Sequence, residues 1–404
     1  MNLVKTSKAF PRIVPLIAGV VIQLCLGTVY IWGVFQQPVM DLFKWDKTTA
    51  SLTFSIVLGF FVLGSIIGGR IQDKTTPRIV TLIGGVILGI GTFLASFTPA
   101  DNPFFLYVTY GMLGGFGMGM TYTTIIACCQ KWFRDRMGLA TGVVVGSLGF
   151  GGVIFTPLAK YFFSTVGVPN TFVNFAIIFT AVCVVGSFFL KNPPQDYMPK
   201  NYKPAAGATA AVEYTAGQMV KTSSFYAITI SLLLAVPAYF IISPLIGSIG
   251  QDRGLSADMA SVVAVMMLSL FNSAGRIVAP WISDKVGRKK TIYILMAGTI
   301  AAILLFIIAQ GWFVLVLVAA VAFCYGGYLG IYPALTNGFF GMKNAGVNYG
   351  IVLIGFGIAA IFTPFMVKWV NIGSDYTISF IVAAALAGVA MIVAIFIKKP
   401  KEIQ

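Results

Sequence analysis

Histidine is absent from the 404 residues. That gap excludes an imidazole general base, imidazole metal ligands and histidine proton relays. Charge of either sign is scarce: 10% of residues are Asp, Glu, Lys or Arg, where a soluble domain carries about 25%. Acids are the scarcer sign, 12 against 27 Lys and Arg. There are five cysteines, Cys25, Cys128, Cys129, Cys183 and Cys324. Each sits inside an apolar run without metal-ligand spacing, so they read as small buried hydrophobes rather than disulfides. The glycine-rich stretches lie in apolar segments and lack phosphate-loop form, and no nucleophile has a base beside it. These absences remove a membrane enzyme, a metal site and a cofactor site from the expectation. The balance of +15 would suggest nucleic acid in a soluble protein. Here the bases fall in short loops between apolar runs, so they read as orientation signals, with no nucleic-acid partner.

What is abundant is apolar surface. Hydrophobic residues make up 58% of the chain and the mean hydropathy is +0.91, which excludes a soluble, a disordered and a fibrous protein. A spanning helix needs about 20 apolar residues. Runs of that kind stand at 13–37, 51–69, 79–98, 104–130, 139–159 and 170–190, then at 225–249, 258–282, 291–310, 313–338, 346–367 and 376–397. The expected fold is all-α integral membrane, with twelve transmembrane helices in two six-helix bundles. Residues 1–190 form the first bundle and 225–404 the second. Residues 191–224, with Pro193, Pro194, Pro199 and Pro204, form a cytoplasmic linker. No cleavable signal peptide is evident, and the first run is long enough to remain as a span.

Placing the N-terminus inside puts 21 Lys and Arg in inner segments and 5 in outer loops, with Arg276 left over. That asymmetry is a positive-inside signal and puts both termini in the cytoplasm. The expected location is the cell (inner) membrane, multi-pass and monomeric, with the lipid bilayer as surroundings.

The two halves echo each other. Gly69-Arg70-Ile71-Gln72-Asp73-Lys74, then Arg78, follows the second span. Trp281-Ile282-Ser283-Asp284-Lys285-Val286-Gly287-Arg288-Lys289-Lys290 closes the eighth. Both are short turns with an acid followed by bases, and they resemble the loop motif of the major facilitator superfamily. The resemblance implies a conformational latch on the cytoplasmic side made by Asp73, Arg78, Asp284 and Arg288, through ion pairs and helix ends.

Ionisable residues inside a span are costly and mark function. Arg276 sits in the eighth span, eight residues or about 12 Å before Asp284. A guanidinium presents a planar fork of donors that matches a carboxylate. No acid lies in mid-span to neutralise it, so the simplest counter-charge is an anionic substrate. Asn272, one turn earlier, shares its face. Tyr30, Tyr122, Tyr325, Tyr328, Tyr332 and Tyr349 lie in or at the start of spans, where a buried hydroxyl wants a partner that a cavity provides. The fifth span carries Gly138, Gly142, Gly146, Gly149, Gly151 and Gly152, a small-residue stripe that permits close helix approach.

Over its whole length the chain resembles the oxalate/formate exchanger and monocarboxylate transporter branch of that superfamily. The likeness is carried by Tyr30-Ile31-Trp32, Gly119-Met120-Thr121-Tyr122, Lys131 through Gly138, Phe271-Asn272 through Arg276, Ser283-Asp284-Lys285 and Asn348-Tyr349-Gly350. It implies a secondary transporter that alternates access around Arg276. Two departures narrow the expectation. The oxalate exchanger has a lysine in the eleventh span where this chain has Phe356. One cation suits a monocarboxylate of the lactate or pyruvate kind better than a dianion. Animal monocarboxylate transporters carry an aspartate, implicated in proton coupling, where this chain has Asn272. A proton would then travel with the substrate itself, or the carrier would exchange anions without protons.

The leading expectation is symport of a small monocarboxylate anion with a proton. Arg276, Asn272, Tyr122, Tyr30 and Tyr328 would supply polar contacts, and Tyr332 and Phe356 apolar walls. An oxalate/formate-type exchanger is the alternative, and a passive anion channel is a further rival.

Overall fold

A computed structural model describes residues 10–194, 197–199, 213–256, 259–370 and 375–400. Residues 195–196 and 200–212 of the expected linker, and both extreme ends, lie outside them. The described residues are helical almost throughout. Ten helices among them are long and apolar enough to cross a bilayer.

One of the ten covers Arg134–Ser187, 54 residues, which would be about 80 Å long if straight. The hydrocarbon core is about 30 Å thick. The segment reverses at Gly167, whose φ of +77° and ψ of 173° are not helical. The rings of Phe155 and Phe179 lie 5.5 Å apart, where a straight helix would hold them about 36 Å apart. It is therefore two crossings, α5 (137–166) and α6 (168–187), joined by a single residue. Glycine supplies the positive φ that a side chain would resist. The first crossing, α1, runs Ile13–Leu26, passes a 3-10 turn at Gly27–Ile31 and continues as Trp32–Phe43, with a bend of 42°. Counting α1 once and the reversed segment twice gives twelve crossings.

The others in the first half are α2 (Lys47–Lys74), α3 (Pro77–Ala95) and α4 (Pro103–Trp132). In the second half, α7 runs Ser223–Ala235 and resumes as Pro237–Asp252. It is followed by α8 (Ala264–Val286), α9 (Arg288–Ile308), α10 (Phe313–Phe340), α11 (Ala345–Val370) and α12 (Thr377–Val393). Local chemistry sets the ends. Asp46 caps α2 by accepting from the Thr49 amide at 2.9 Å, and Thr222 caps α7 from the Phe225 amide at 3.2 Å. Pro77 and Pro103 open α3 and α4 at positions that need no amide donor.

The outer surface is apolar. Ile177, Val185, Ile294, Ile308 and Trp369 each expose 60% or more of their area. In water such side chains would associate, whereas lipid is their matching solvent. The two ends of the described chain reach one face. Arg12 pairs with Asp135 at 2.9 Å beside the α4–α5 turn. At the other end, Lys289 donates to the Ile395 carbonyl at 2.8 Å.

The halves meet along two helix pairs. A Cβ on Gly69 of α2 would stand 2.3 Å from the Gly346 carbonyl carbon of α11, so the two backbones touch there. Along α5 and α8, Gly138, Gly142, Gly146 and Gly149 face Asp284, Arg276, Ile277 and Ser273 in turn. Four glycines of the stripe read from the sequence thus make a contact between halves, while Gly151 packs against Gly27 of α1.

Candidate functional site

Where the two halves face each other, a cavity is lined by Val29, Leu58, Phe61, Tyr122, Leu148, Leu329, Leu353, Phe356 and Arg276. Its residues come from α1, α2, α4, α5, α8, α10 and α11, so neither half makes it alone. The free volume is about 20 Å³, room for about one water. Apart from Arg276, the described lining residues are aliphatic or aromatic with one tyrosine, and none of them is an acid.

Arg276 is 1% exposed. Its Nε donates to Asn272 Oδ1 at 2.9 Å. Its Nη1 donates to the Val145 carbonyl at 3.2 Å, which belongs to α5 in the opposite half. Gly142 makes the approach possible, since its missing Cβ would stand 2.7 Å from the Arg276 carbonyl oxygen. The guanidinium is therefore fixed in the wall rather than drawn toward an interface. Arginine is unusual among buried groups because it stays protonated, so the site keeps a positive charge whatever the pH.

The expected site residues fall into three groups. Arg276, Tyr122 and Phe356 line the cavity together. The Tyr122 ring lies 5.1 Å from Phe61 and 6.4 Å from Tyr349, and Phe356 lies 5.6 Å from Phe240. Asn272 is outside the lining and orients Arg276. Tyr328 and Tyr332 are also outside it, and both are fully buried within the second half. The Tyr328 hydroxyl bonds to Thr299 at 2.7 Å and the Tyr332 hydroxyl to Ser231 at 2.9 Å. They tie α10 to α9 and α7, so their polar ends are engaged away from Arg276. The Tyr30 side chain lies outside the described residues. Sequence reading missed the aliphatic wall and the Val145 carbonyl. A backbone acceptor leaves no signature in a sequence.

Toward the face with both chain ends, the halves are held by matching contacts. Asp73 accepts from the Gly346 and Val347 amides at 3.3 and 2.9 Å. Asp284 accepts from the Gly138 and Leu139 amides at 3.2 and 3.1 Å. Each carboxylate thus caps the first turn of a helix in the opposite half, where free amides and the helix dipole favour negative charge. Lys131 Nζ stands 3.9 Å from Asp73. The bases divide. Arg288 lies by this interface, donating to Met137 Sδ at 3.7 Å. Arg78 does not join Asp73; its guanidinium stacks 4.2 Å from the Phe188 ring centre in its own half.

Gln130 and Asn337 were not anticipated. Both are buried amides, on α4 and α10. Asn337 Nδ2 donates to Gln130 Oε1 across the interface, and Gln130 Nε2 donates to Thr141 at 2.7 Å. A polar residue inside an apolar run is the signal that could have found them. Among the described residues no cluster of three or more Cys, Asp or Glu is placed to hold a metal ion.

The sequence pattern of the Major Facilitator Superfamily matches residues 17–346 and again 228–404. The MFS-type transporter YhjX of Escherichia coli (strain K12) is 27% identical over 352 residues, 87% of this chain and 86% of that one. The oxalate:formate antiporter of Oxalobacter formigenes is 25% identical over 390 residues, covering 93% and 89%. Monocarboxylate transporter 13 of Rattus norvegicus is 26% identical over 383 residues, covering 92% and 85%. In three dimensions the chain is similar to the E. coli fucose:proton symporter FucP, with a TM-score of 0.72 at 14% identity over 97% of this chain and 100% of that one. It is also similar to the proton:xylose symporter XylE, with a TM-score of 0.65 at 16% identity over 94% of each chain.

Proposed function

Because the chain belongs to the Major Facilitator Superfamily, a family of membrane transporters and not of enzymes, we propose that it carries a small monocarboxylate of the lactate or pyruvate kind, by proton symport with alternating access around Arg276. The observation that carries this reading is the guanidinium itself. It is 1% exposed, it forms part of the wall of a cavity between the halves, and the other described residues of that wall are apolar or aromatic with no second cation among them. A carboxylate fits the fork of donors, and a short carbon chain fits Phe61, Leu329 and Phe356. A monocarboxylate transporter and an oxalate:formate antiporter among the relatives support the same class of cargo.

In this reading Asn272 positions the guanidinium and Tyr122 offers a hydroxyl to the cargo. The guanidinium in turn offsets the charge of the anion, which is costly to carry across the bilayer alone, so the loaded carrier can reorient. The two bundles, 1–190 and 225–404, rock about the site and the linker 191–224 joins them. Asp73 and Asp284 latch the face that carries both chain ends, which is the cytoplasmic face of the inner membrane. The excess of 21 inner over 5 outer bases supports that orientation.

Among the described residues of the lining there is no acid and so no evident proton carrier, which favours a second reading, anion exchange without protons. One experiment separates the two and tests both. Purified protein in liposomes is given external labelled lactate, with and without an inward proton gradient, then with internal oxalate or formate. Gradient-driven accumulation that collapses with a protonophore supports symport. Stimulation by internal oxalate without gradient dependence supports exchange. Arg276→Ala that still folds should abolish uptake in either case, and Arg276→Lys should not restore it. Full uptake by the alanine variant would refute the site.

A further inference from the structure

We propose that the buried amide pair Gln130–Asn337 is the inner gate of the transport path, a polar barrier between the cavity and the face that carries both chain ends. Such a gate rests only on the chain being a carrier, whatever its cargo.

Placement is the first support. Tyr122 of α4 and Leu329 of α10 both line the cavity. Gln130 and Asn337 each follow eight residues later. Eight residues are a little over two turns, so each amide lies about 12 Å below its cavity residue and about 80° further round the helix. Both helices run toward the chain-end face there. The two amides therefore meet beneath the cavity, at 0% and 2% exposure, and the bond between them crosses from one half to the other. Thr141 fixes the Gln130 amide and is itself fixed to the Met137 carbonyl at 2.7 Å. This ties the gate to the start of α5, beside the amides that Asp284 holds.

Chemistry is the second. A barrier that must open repeatedly is better made from groups that water can satisfy. When the helices part, each amide exchanges its partner for water at little net cost, whereas a parted apolar plug would expose its whole area. Asn337 Oδ1 has no hydrogen-bond partner in the closed arrangement. A buried acceptor left unmatched works against the closed state, so the barrier holds closed but not tightly.

The two kinds of substitution have opposite signs. Gln130→Leu alone leaves Asn337 Nδ2 buried without its acceptor, beside an Oδ1 already unmatched, a defect that opening repairs. Replacing both amides together removes the defect and leaves an apolar seal that opening would expose. The test is a distance distribution by pulsed electron paramagnetic resonance, without cargo. Spin labels are placed at Arg136→Cys and Lys290→Cys, exposed positions in opposite halves, and the five native cysteines are buried. Gln130→Leu should enrich the parted population about tenfold. The double variant Gln130→Leu, Asn337→Leu should return it to or below the parent level, with slower transport. If Gln130→Leu does not fold, the closer-sized Gln130→Met breaks the same bond and must show the same opening. Unchanged populations in the single variant, or a double variant that opens as far as the sum of the singles, would overturn the gate.

Discussion

Gly142→Ala adds one methyl at the contact between α5 and α8. Its Cβ would stand 2.7 Å from the Arg276 carbonyl oxygen and 3.1 Å from both Cα and the carbonyl oxygen of Ile277. All three are backbone atoms, so no rotamer change relieves the clash and the helices must separate. Overpacking of this kind costs about 1–3 kcal/mol, while the helix preference of alanine over glycine is the same in both arrangements and cancels. The balance is about 1–3 kcal/mol against the closed arrangement, a shift of about five- to 150-fold in the two populations. Two other glycines grade the effect. At Gly146 the methyl would meet the Ile277 side chain at 2.5 Å, which can turn aside, so the shift should be smaller. At Gly33 nothing lies within 4 Å, so alanine there should leave the populations alone. The assay is the distance between labels on the chain-end face, with uptake measured in parallel. If Gly142→Ala leaves the distribution where Gly33→Ala leaves it, the α5–α8 contact does not govern closure and the reasoning fails.

Asp284→Asn and Asp73→Asn keep an acceptor but remove the charge that faces a helix start. Each should open the chain-end face by about 1 kcal/mol or less, with the double variant opening further, read by the same labels. Phe356→Lys supplies a second cation to the cavity wall, so labelled oxalate should gain on lactate in competition for uptake. A variant that prefers lactate as strongly as before would refute the link between cation number and cargo charge. At the start of α12, Asp375 bonds to Thr377 and faces Arg253, and these hold its carboxyl below the usual range. A depressed carboxyl stabilises the fold above its unfolded value, and the benefit is lost as pH falls through the folded value, here in the region below about 4. Tm in detergent should therefore separate Asp375→Asn from the parent at neutral pH by a small amount and converge in acid.

Much of the architecture was legible because lipid imposes it. An apolar run of about 20 residues seldom means anything but a crossing, and the α1 to α12 crossings fall where the runs do. The α5–α6 pair shows the limit of this legibility. The runs 139–159 and 170–190 implied a loop between them, and the chain instead turns on Gly167 alone. Arg276 was legible because a charge in mid-span is expensive. Tyr328 and Tyr332 were read as facing a cavity because their hydroxyls needed partners, but Thr299 and Ser231 supply those partners within the bundle. Which neighbour meets a hydroxyl is decided by helix rotation, and a span apolar on every side does not encode it. Gln130 and Asn337 escaped because uncharged amides weigh little in an inventory of charges. The partner of the glycine stripe was hidden for the same reason as that of the tyrosines. Small residues announce a close approach without saying to what.

The one-residue join at Gly167 has a mechanical consequence. Two helices connected by a loop can tilt separately, since slack absorbs the difference. Here α5 and α6 are joined by one residue, so in the proposed rocking a shift of one leg leaves little slack before the other must follow. The α5 leg carries the glycines that meet α8. The α6 leg carries Phe172 and Phe175, whose rings lie 5.0 and 5.8 Å from Phe35 on the far segment of α1. A displacement of α5 against α8 would therefore reach the aromatic contact between α6 and α1 across a join of one residue, with no loop in which the stroke could be lost.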